Sequence, residues 1–267
     1  MRTIARVAVS VFRESVRDRI LYSIVAFAVL LMATSYLLGQ LTAGQDIKIV
    51  KDLGLASIAT FGLFIAVFIG IGLVWKEVEK RSIDSLLSKP IRRSEFVLGK
   101  YCGLVLTLVV NIAVMTAAFY GVLAFLDWRL DPLTGEWPVP PADPHMLKAI
   151  ALIVVELMLV TAIALFFSTF STPFLSAGLT IGLWVIGHFN ADLANFGAVV
   201  DSPAVVWLAR VLYYVLPNFA AFDIKAQVVH GQPIAMSYVG LVALYGLAYV
   251  ALVLTAAVVI FSRRDFK

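Results

Sequence analysis

Six apolar runs constrain this chain more than any other feature. They are Ile20–Leu38, Leu53–Trp75, Tyr101–Leu126, Ala149–Phe170, Phe174–Phe189 and Met236–Phe261. A helix needs about 20 consecutive apolar residues to cross a hydrocarbon core, since each residue advances it about 1.5 Å. Inside that core the backbone must satisfy its own hydrogen bonds, so runs of this length predict helices. Composition agrees: 61% of the 267 residues are hydrophobic and 14% are charged, against about 25% charged in a soluble domain. An ordinary soluble enzyme, a disordered chain and a disulfide-rich scaffold are excluded, and the single Cys102 cannot close an internal disulfide. The net charge is +4. The basic residues flank apolar runs and form no face on a soluble fold, which indicates a membrane and not nucleic acid. The expected fold class is an all-α membrane protein with six transmembrane helices, one transmembrane domain over 1–267.

Orientation follows from lysine and arginine. The N-terminal segment, the stretch 76–100 and the C-terminus together carry fifteen of them, and the opposite side carries six. Cytoplasmic loops are the basic ones, so both termini are expected in the cytoplasm. The first residues are not read as a cleaved signal peptide. An amphipathic segment, 1–18, precedes the first run instead of a short basic start with a cleavage site. Ile4, Val7, Ala8, Val11 and Phe12 share one helical face, and Arg2, Arg6, Arg13 and Arg17 share the opposite one. Such a helix is expected to lie in the inner interface, with its arginines toward headgroups. A helix packed on another protein is the alternative.

Between the second and third runs stands KEVEKRSIDSLLSKPIRRSEFVLGK, Lys76–Lys100. Ile83, Leu86 and Leu87 fall at i, i+3 and i+4, so a short helix there has one apolar face. Pro90 stops it, and Ser94 is expected to cap the next helix with Glu95 at its N-terminal dipole. An apolar face among dense charges fits docking into a partner's groove; a solvated basic loop is the plainer reading. On the other side, 127–148 holds five of the ten prolines and is expected to be irregular. The fifth run has only 16 residues, about 24 Å of helix. Beyond it, 190–235 carries Ser202-Pro203, a capping pair that predicts a helix over 203–215, ended by Pro217. That helix is too short to span. An outer re-entrant segment that enters the bilayer and returns, acting as a gate, is one reading, and a surface amphipathic helix is the other.

Glu156 is the one acid well inside a run, and an ionisable group there is a functional candidate by default. His188, near the outer end of the fifth run, is placed to approach it. Such a pair is read as a helix-to-helix clamp, or else as a polar patch facing the substrate route or a proton-sensitive latch. Asn111 and Thr116 in the third run are expected to bond to neighbouring helices, and Gly178 and Gly182 form a GxxxG pattern that permits close helix contact. The chain has no GxxxxGK[ST] phosphate loop, no HExxH and no GxSxG. No catalytic, metal-binding or cofactor-binding residue is therefore assigned.

Several stretches carry a family likeness. FRESVRDRILY (Phe12–Tyr22) is followed by Glu79–Lys100 with Leu86-Leu87-Ser88, Pro90-Ile91, Arg93 and Gly99-Lys100. FFSTFSTPFLSAG (Phe166–Gly178), Ile186–His188 and LPNFAAFDIK (Leu216–Lys225) complete the set. In these the chain resembles the permease subunit of the ABC-2 type of ABC transporter over its whole length. Arg81 departs from the likeness, standing where many relatives have glycine. The resemblance implies an N-terminal elbow helix bearing Arg6, Arg13 and Arg17. It implies a cytoplasmic coupling helix in which Glu79, Arg81, Ser82, Ile83, Leu86, Leu87, Pro90, Arg92 and Arg93 meet a cassette. It implies an ATP-driven exporter in a bacterial inner membrane. Two permease protomers would pair with two ATP-binding cassette subunits, which hold the ATP and magnesium, so that this chain is no enzyme itself. A membrane-embedded regulatory or assembly subunit acting on a periplasmic partner, and a proton-coupled carrier built on Glu156, are the competing readings.

Overall fold

The computed structural model describes residues 2–17, 19–39, 46–79, 93–129, 142–190 and 202–263. Among them every regular element is helical. They are α1 (Arg2–Val16), α2 (Arg19–Gly39), α3 (Asp46–Glu79), α4 (Arg93–Arg129), α5 (Met146–Ser168), α6 (Pro173–His188), α7 (Pro203–Val215), a 3₁₀ turn (Phe219–Phe222), α8 (Lys225–Val229) and α9 (Met236–Arg263). By length and composition α3, α4, α5 and α9 can each cross a membrane. The stretches 204–215 and 219–229 pass that test only as a pair, bent by 41°, while α6 and the apolar part of α2 (Leu21–Ser35) are shorter.

α5 is the centre of the bundle. It is apolar on every face, and a helix of that kind needs neighbours all round; fifteen of its 23 residues are buried. α3, α4, α6, α8 and α9 all pack on it, and α3 also joins α2, α4 and α6. The helix ends differ from the apolar runs. α3 and α4 extend past 53–75 and 101–126 at both ends, because a helix continues through charged residues once it leaves the hydrocarbon. α4 starts at Arg93, so Ser94 lies inside the helix and not at its cap. α7 does begin at Pro203, yet the Ser202 side chain makes no capping bond; its carbonyl accepts the Val206 N–H at 3.1 Å.

α1 packs against the bundle itself. It lies along α4, at a point where α4 carries glycines one turn apart. A Cβ on Gly99 would stand 2.7 Å from the Val7 Cβ, and one on Gly103 would stand 2.6 Å from the Ala8 carbonyl oxygen. Only the missing side chains allow that approach. The predicted apolar face is therefore covered by α4, with Val11 buried, and is not offered to lipid. Arg6, Arg13 and Arg17 stay exposed on the other side. At Gly178 and Gly182 on α6 an added Cβ would meet nothing within 4 Å.

Candidate functional site

α5 and α6 are adjacent antiparallel helices joined through 169–172, and this brings Glu156 against the last turn of α6. Glu156 is only 4% exposed. Its Oε1 accepts the indole N–H of Trp184 at 2.7 Å, and His188 Nε2 lies 3.7 Å from the same oxygen. The first is a hydrogen bond; the second is a charge contact, too long for one. Trp184 and His188 sit four residues apart on one helical face, with ring centroids 4.4 Å apart. His188 Nδ1 is 3.1 Å from the Trp184 carbonyl oxygen, so Nδ1 carries the proton. Nε2 is then left facing the carboxyl group.

The other side of His188 is closed by the returning segment. The Phe219 ring stacks on the imidazole at 5.9 Å and 10°, and Phe219 is fully buried. A Cβ on Gly187 would run into that ring and into the Pro217 carbonyl oxygen, 2.6 Å away. Glycine is thus required where α6 meets the 3₁₀ turn. Further bonds fasten the segment. The Asn218 N–H donates to the Tyr245 hydroxyl at 2.8 Å, and the Tyr238 hydroxyl donates to the Ala221 carbonyl at 2.9 Å. Asn190 Nδ2 reaches the carbonyls of Tyr213 and Leu216 at 3.4 and 3.3 Å. Lys225 and Asp223 pair at 3.3 Å on the next turn. Glu156 lies ten residues along α5 from Met146, about 15 Å from its start. The segment reaches that level, and its polar backbone is covered by α5, α6 and α9, as non-helical chain at membrane depth must be.

Asn111 does not join this cluster. Its Nδ2 donates to the Thr107 carbonyl on its own helix at 2.7 Å, and the Thr116 hydroxyl is buried with no hydrogen-bond partner among the described residues. The expectation that both bridge helices is corrected: the short Asn111 side chain reaches the carbonyl one turn back more readily than a neighbouring helix, and Thr116 reaches neither among the described residues. Bridges between α4 and its surroundings come instead from tyrosines. Tyr101 donates to the Met158 carbonyl at 3.2 Å and Tyr120 to the Asp143 carbonyl at 3.0 Å. Glu79 and Arg93 are the last residue of α3 and the first of α4. Arg81, Ser82, Ile83, Leu86, Leu87, Pro90 and Arg92 lie outside the described residues.

Sequence reasoning missed three participants. Trp184 was counted as apolar, although an indole N–H within a membrane needs an acceptor and so announces one nearby. Lys51 and Lys100 were counted with the flanking charges, yet both are 2% exposed. Asp143 is a charged neighbour of Lys51, and Lys100 Nζ lies 5.2 Å from the Phe96 ring centroid.

A search of curated proteins returned no match. A family model described as ABC-2 family transporter protein matches residues 6–266. That match covers nearly the whole chain, from within α1 to beyond α9, and includes the Glu156 site. The chain belongs to the ABC-2 transporter family and is a multi-pass permease subunit.

Proposed function

We propose that this permease forms the translocation path of an ATP-driven exporter in a bacterial inner membrane, with both termini cytoplasmic. The family match across 6–266 carries the reading. α2, α3, α4, α5, α6 and α9 are its six spans, α2 and α6 being short ones. Two permease protomers, each carrying the same coupling stretch between α3 and α4, engage two cassette subunits that bind ATP and magnesium. This chain supplies no nucleotide site of its own, having no phosphate loop. Cassette closure moves the ends of α3 and α4. The rest of the bundle passes that motion to the outer side, where the segment over His188 and Glu156 opens and cargo leaves the cytoplasm or the inner leaflet.

The test is a mild-detergent pull-down of tagged protein from its native membrane, with the co-purifying chains identified and ATPase activity assayed. A stoichiometric cassette with ATPase activity is expected. An isolated homo-oligomer without ATPase, in a detergent that preserves such complexes, would overturn the reading. One observation favours a second reading, a proton-coupled carrier: the buried Glu156 lies 3.7 Å from the partly exposed His188 inside the bundle. That reading requires transport in proteoliposomes driven by a proton gradient without ATP.

A further inference from the structure

The turn 143–145, the first turn of α5 and the chain that runs from α8 to α9 together enclose a cavity of about 440 Å³. It lies at the end of the bundle remote from α1, the outer end in the proposed orientation. α1 meets α4 at Gly99 and Gly103, whereas Tyr120, about 25 Å further along that helix, bonds to the Asp143 carbonyl. The cavity is also separate from the Glu156 site, since its lysine, Lys148, precedes Glu156 by about 12 Å of helix. A space of this size takes a small ligand or a side chain. Gly231 shapes one wall. Its φ of 69° is rarely adopted by a residue with a side chain. The turn lets the Gln232 N–H close onto the Gln227 carbonyl at 2.9 Å, which ends α8 there. The chain then passes Lys148, whose Nζ donates to the Ile234 carbonyl at 2.9 Å.

The groups on the lining define the guest. Lys148 is half-buried, and its bond to Ile234 uses one of the three N–H groups of an ammonium. Among the described residues no acid pairs with it, and neither the His145 imidazole nor the Gln232 amide beside it in the lining has a hydrogen bond. Asp143 is the one acid on the lining among the described residues, and it is already engaged. It is 3% exposed, its Oδ1 accepts the His145 N–H at 2.8 Å, and Lys51 is its charged neighbour. Asp52 is a charged neighbour of His230, and neither lines the cavity. The lining thus keeps one uncompensated positive charge and two polar side chains in want of a partner. A guest with a single negative charge balances it, whereas a dianion such as phosphate would set its second charge against Asp143. Val228, Pro144 and Pro233 make up apolar wall, which suits a short hydrocarbon behind the charge.

We propose that this cavity binds a carboxylate group, with Lys148 holding its charge and His145 and Gln232 hydrogen-bonding its oxygens. Lys148 belongs to α5 and Gln232 to the chain leading into α9, so the guest joins the returning segment to the centre of the bundle. A free small aliphatic carboxylate and the acidic side chain of a polypeptide both carry that chemistry. Binding needs no ATP and no cassette, so it stands or falls separately from the exporter reading.

The experiment uses the full chain in phosphatidylcholine nanodiscs, which leave both faces open. It is titrated at constant ionic strength with butyrate and with a capped Ala-Glu-Ala tripeptide, each bearing one carboxylate, and ligand-observed NMR gives the dissociation constants. Saturable binding of at least one probe is expected. Lys148→Gln removes the charge and should weaken binding about tenfold or more. Gln232→Ala should weaken it about threefold. That residue is exposed and outside the helices, so its variant keeps the test decisive if the lysine variant does not fold. Tighter binding of the tripeptide assigns the site to an acidic polypeptide segment, and tighter binding of butyrate to a free carboxylate; either upholds the proposal. Three results would overturn it. They are no saturable binding of either probe, equal binding of inorganic phosphate or of a capped Ala-Gln-Ala tripeptide, and an affinity unchanged in a folded Lys148→Gln protein or, failing that, in Gln232→Ala.

Discussion

Glu156 sits where a carboxylate is costly, and the side chains around it explain how the fold tolerates it. Trp184 supplies a hydrogen bond at 2.7 Å, His188 Nε2 lies 3.7 Å from the same oxygen, and Phe219 closes the far side of the imidazole. Trp184→Phe keeps most of the packing and removes the donor, stranding a buried acid. The expected loss is about 1–3 kcal/mol, read as a lower melting temperature in detergent. Glu156→Gln leaves an amide oxygen to accept the indole N–H, so stability should change by less than about 1 kcal/mol. In the Glu156→Gln background the Trp184→Phe change should cost less than it does alone, because a stranded amide is cheaper than a stranded acid. The double-mutant cycle should give a coupling of about 1 kcal/mol, and additive effects would remove Trp184 from the site. Loss of transport in Glu156→Gln at normal expression would point to a charge-dependent role. The acid and the histidine were legible because an ionisable residue in an apolar run stands out. Trp184, Lys51 and Lys100 were not, because a tryptophan counts as apolar and a lysine at a span end looks like a flanking charge until its burial is seen.

At the scale of the helix, two copies of one motif behave in opposite ways. Gly99 and Gly103 on α4 admit α1 to backbone contact, whereas a side chain added at Gly178 or Gly182 on α6 would enter open space. Spacing alone cannot separate them; the neighbour decides. Gly103→Val should therefore lift α1 off α4. Overpacking of this kind costs about 1–3 kcal/mol, and hydrogen exchange should show amides of α1 losing protection while α5 keeps its own. Gly178→Ala and Gly182→Ala should leave an isolated protomer within about 0.5 kcal/mol of the parent. A melting change confined to the purified oligomer would instead show that this face meets a second protomer. The same limit governs helix ends. The single prolines that open α6 and α7, Pro173 and Pro203, mark their starts, since proline fits the first turn. The ends of α3 and α4 do not coincide with the ends of the apolar runs, because hydropathy records where lipid stops and not where the helix does.

Across the whole molecule, the groups that would receive a cassette's push and the groups that would answer it lie on a connected set of helices. α4 begins at Arg93 and carries α1 near that end, at Gly99 and Gly103. Its Tyr101 donates to the Met158 carbonyl on α5 at 3.2 Å, two residues beyond Glu156, which bonds to Trp184 on α6 beside His188 and Phe219. Rigid packed helices can carry a displacement along such contacts. Two variants separate engagement from transmission. Reversing charge at Arg92 and Arg93 sets like charges against a complementary partner surface, a change that costs several kcal/mol at an interface. Cassette recovered in the pull-down should fall at least about tenfold while membrane insertion stays intact, and undiminished recovery would move the docking site elsewhere. Tyr101→Phe removes one hydroxyl at the α4–α5 contact and touches no part of the coupling stretch. Cassette recovery and ATPase activity should therefore persist while cargo moved per ATP falls. A Tyr101→Phe protein that transports as efficiently as the parent would show that motion reaches the outer segment by α3 and α9, which pack on α5 from its other sides.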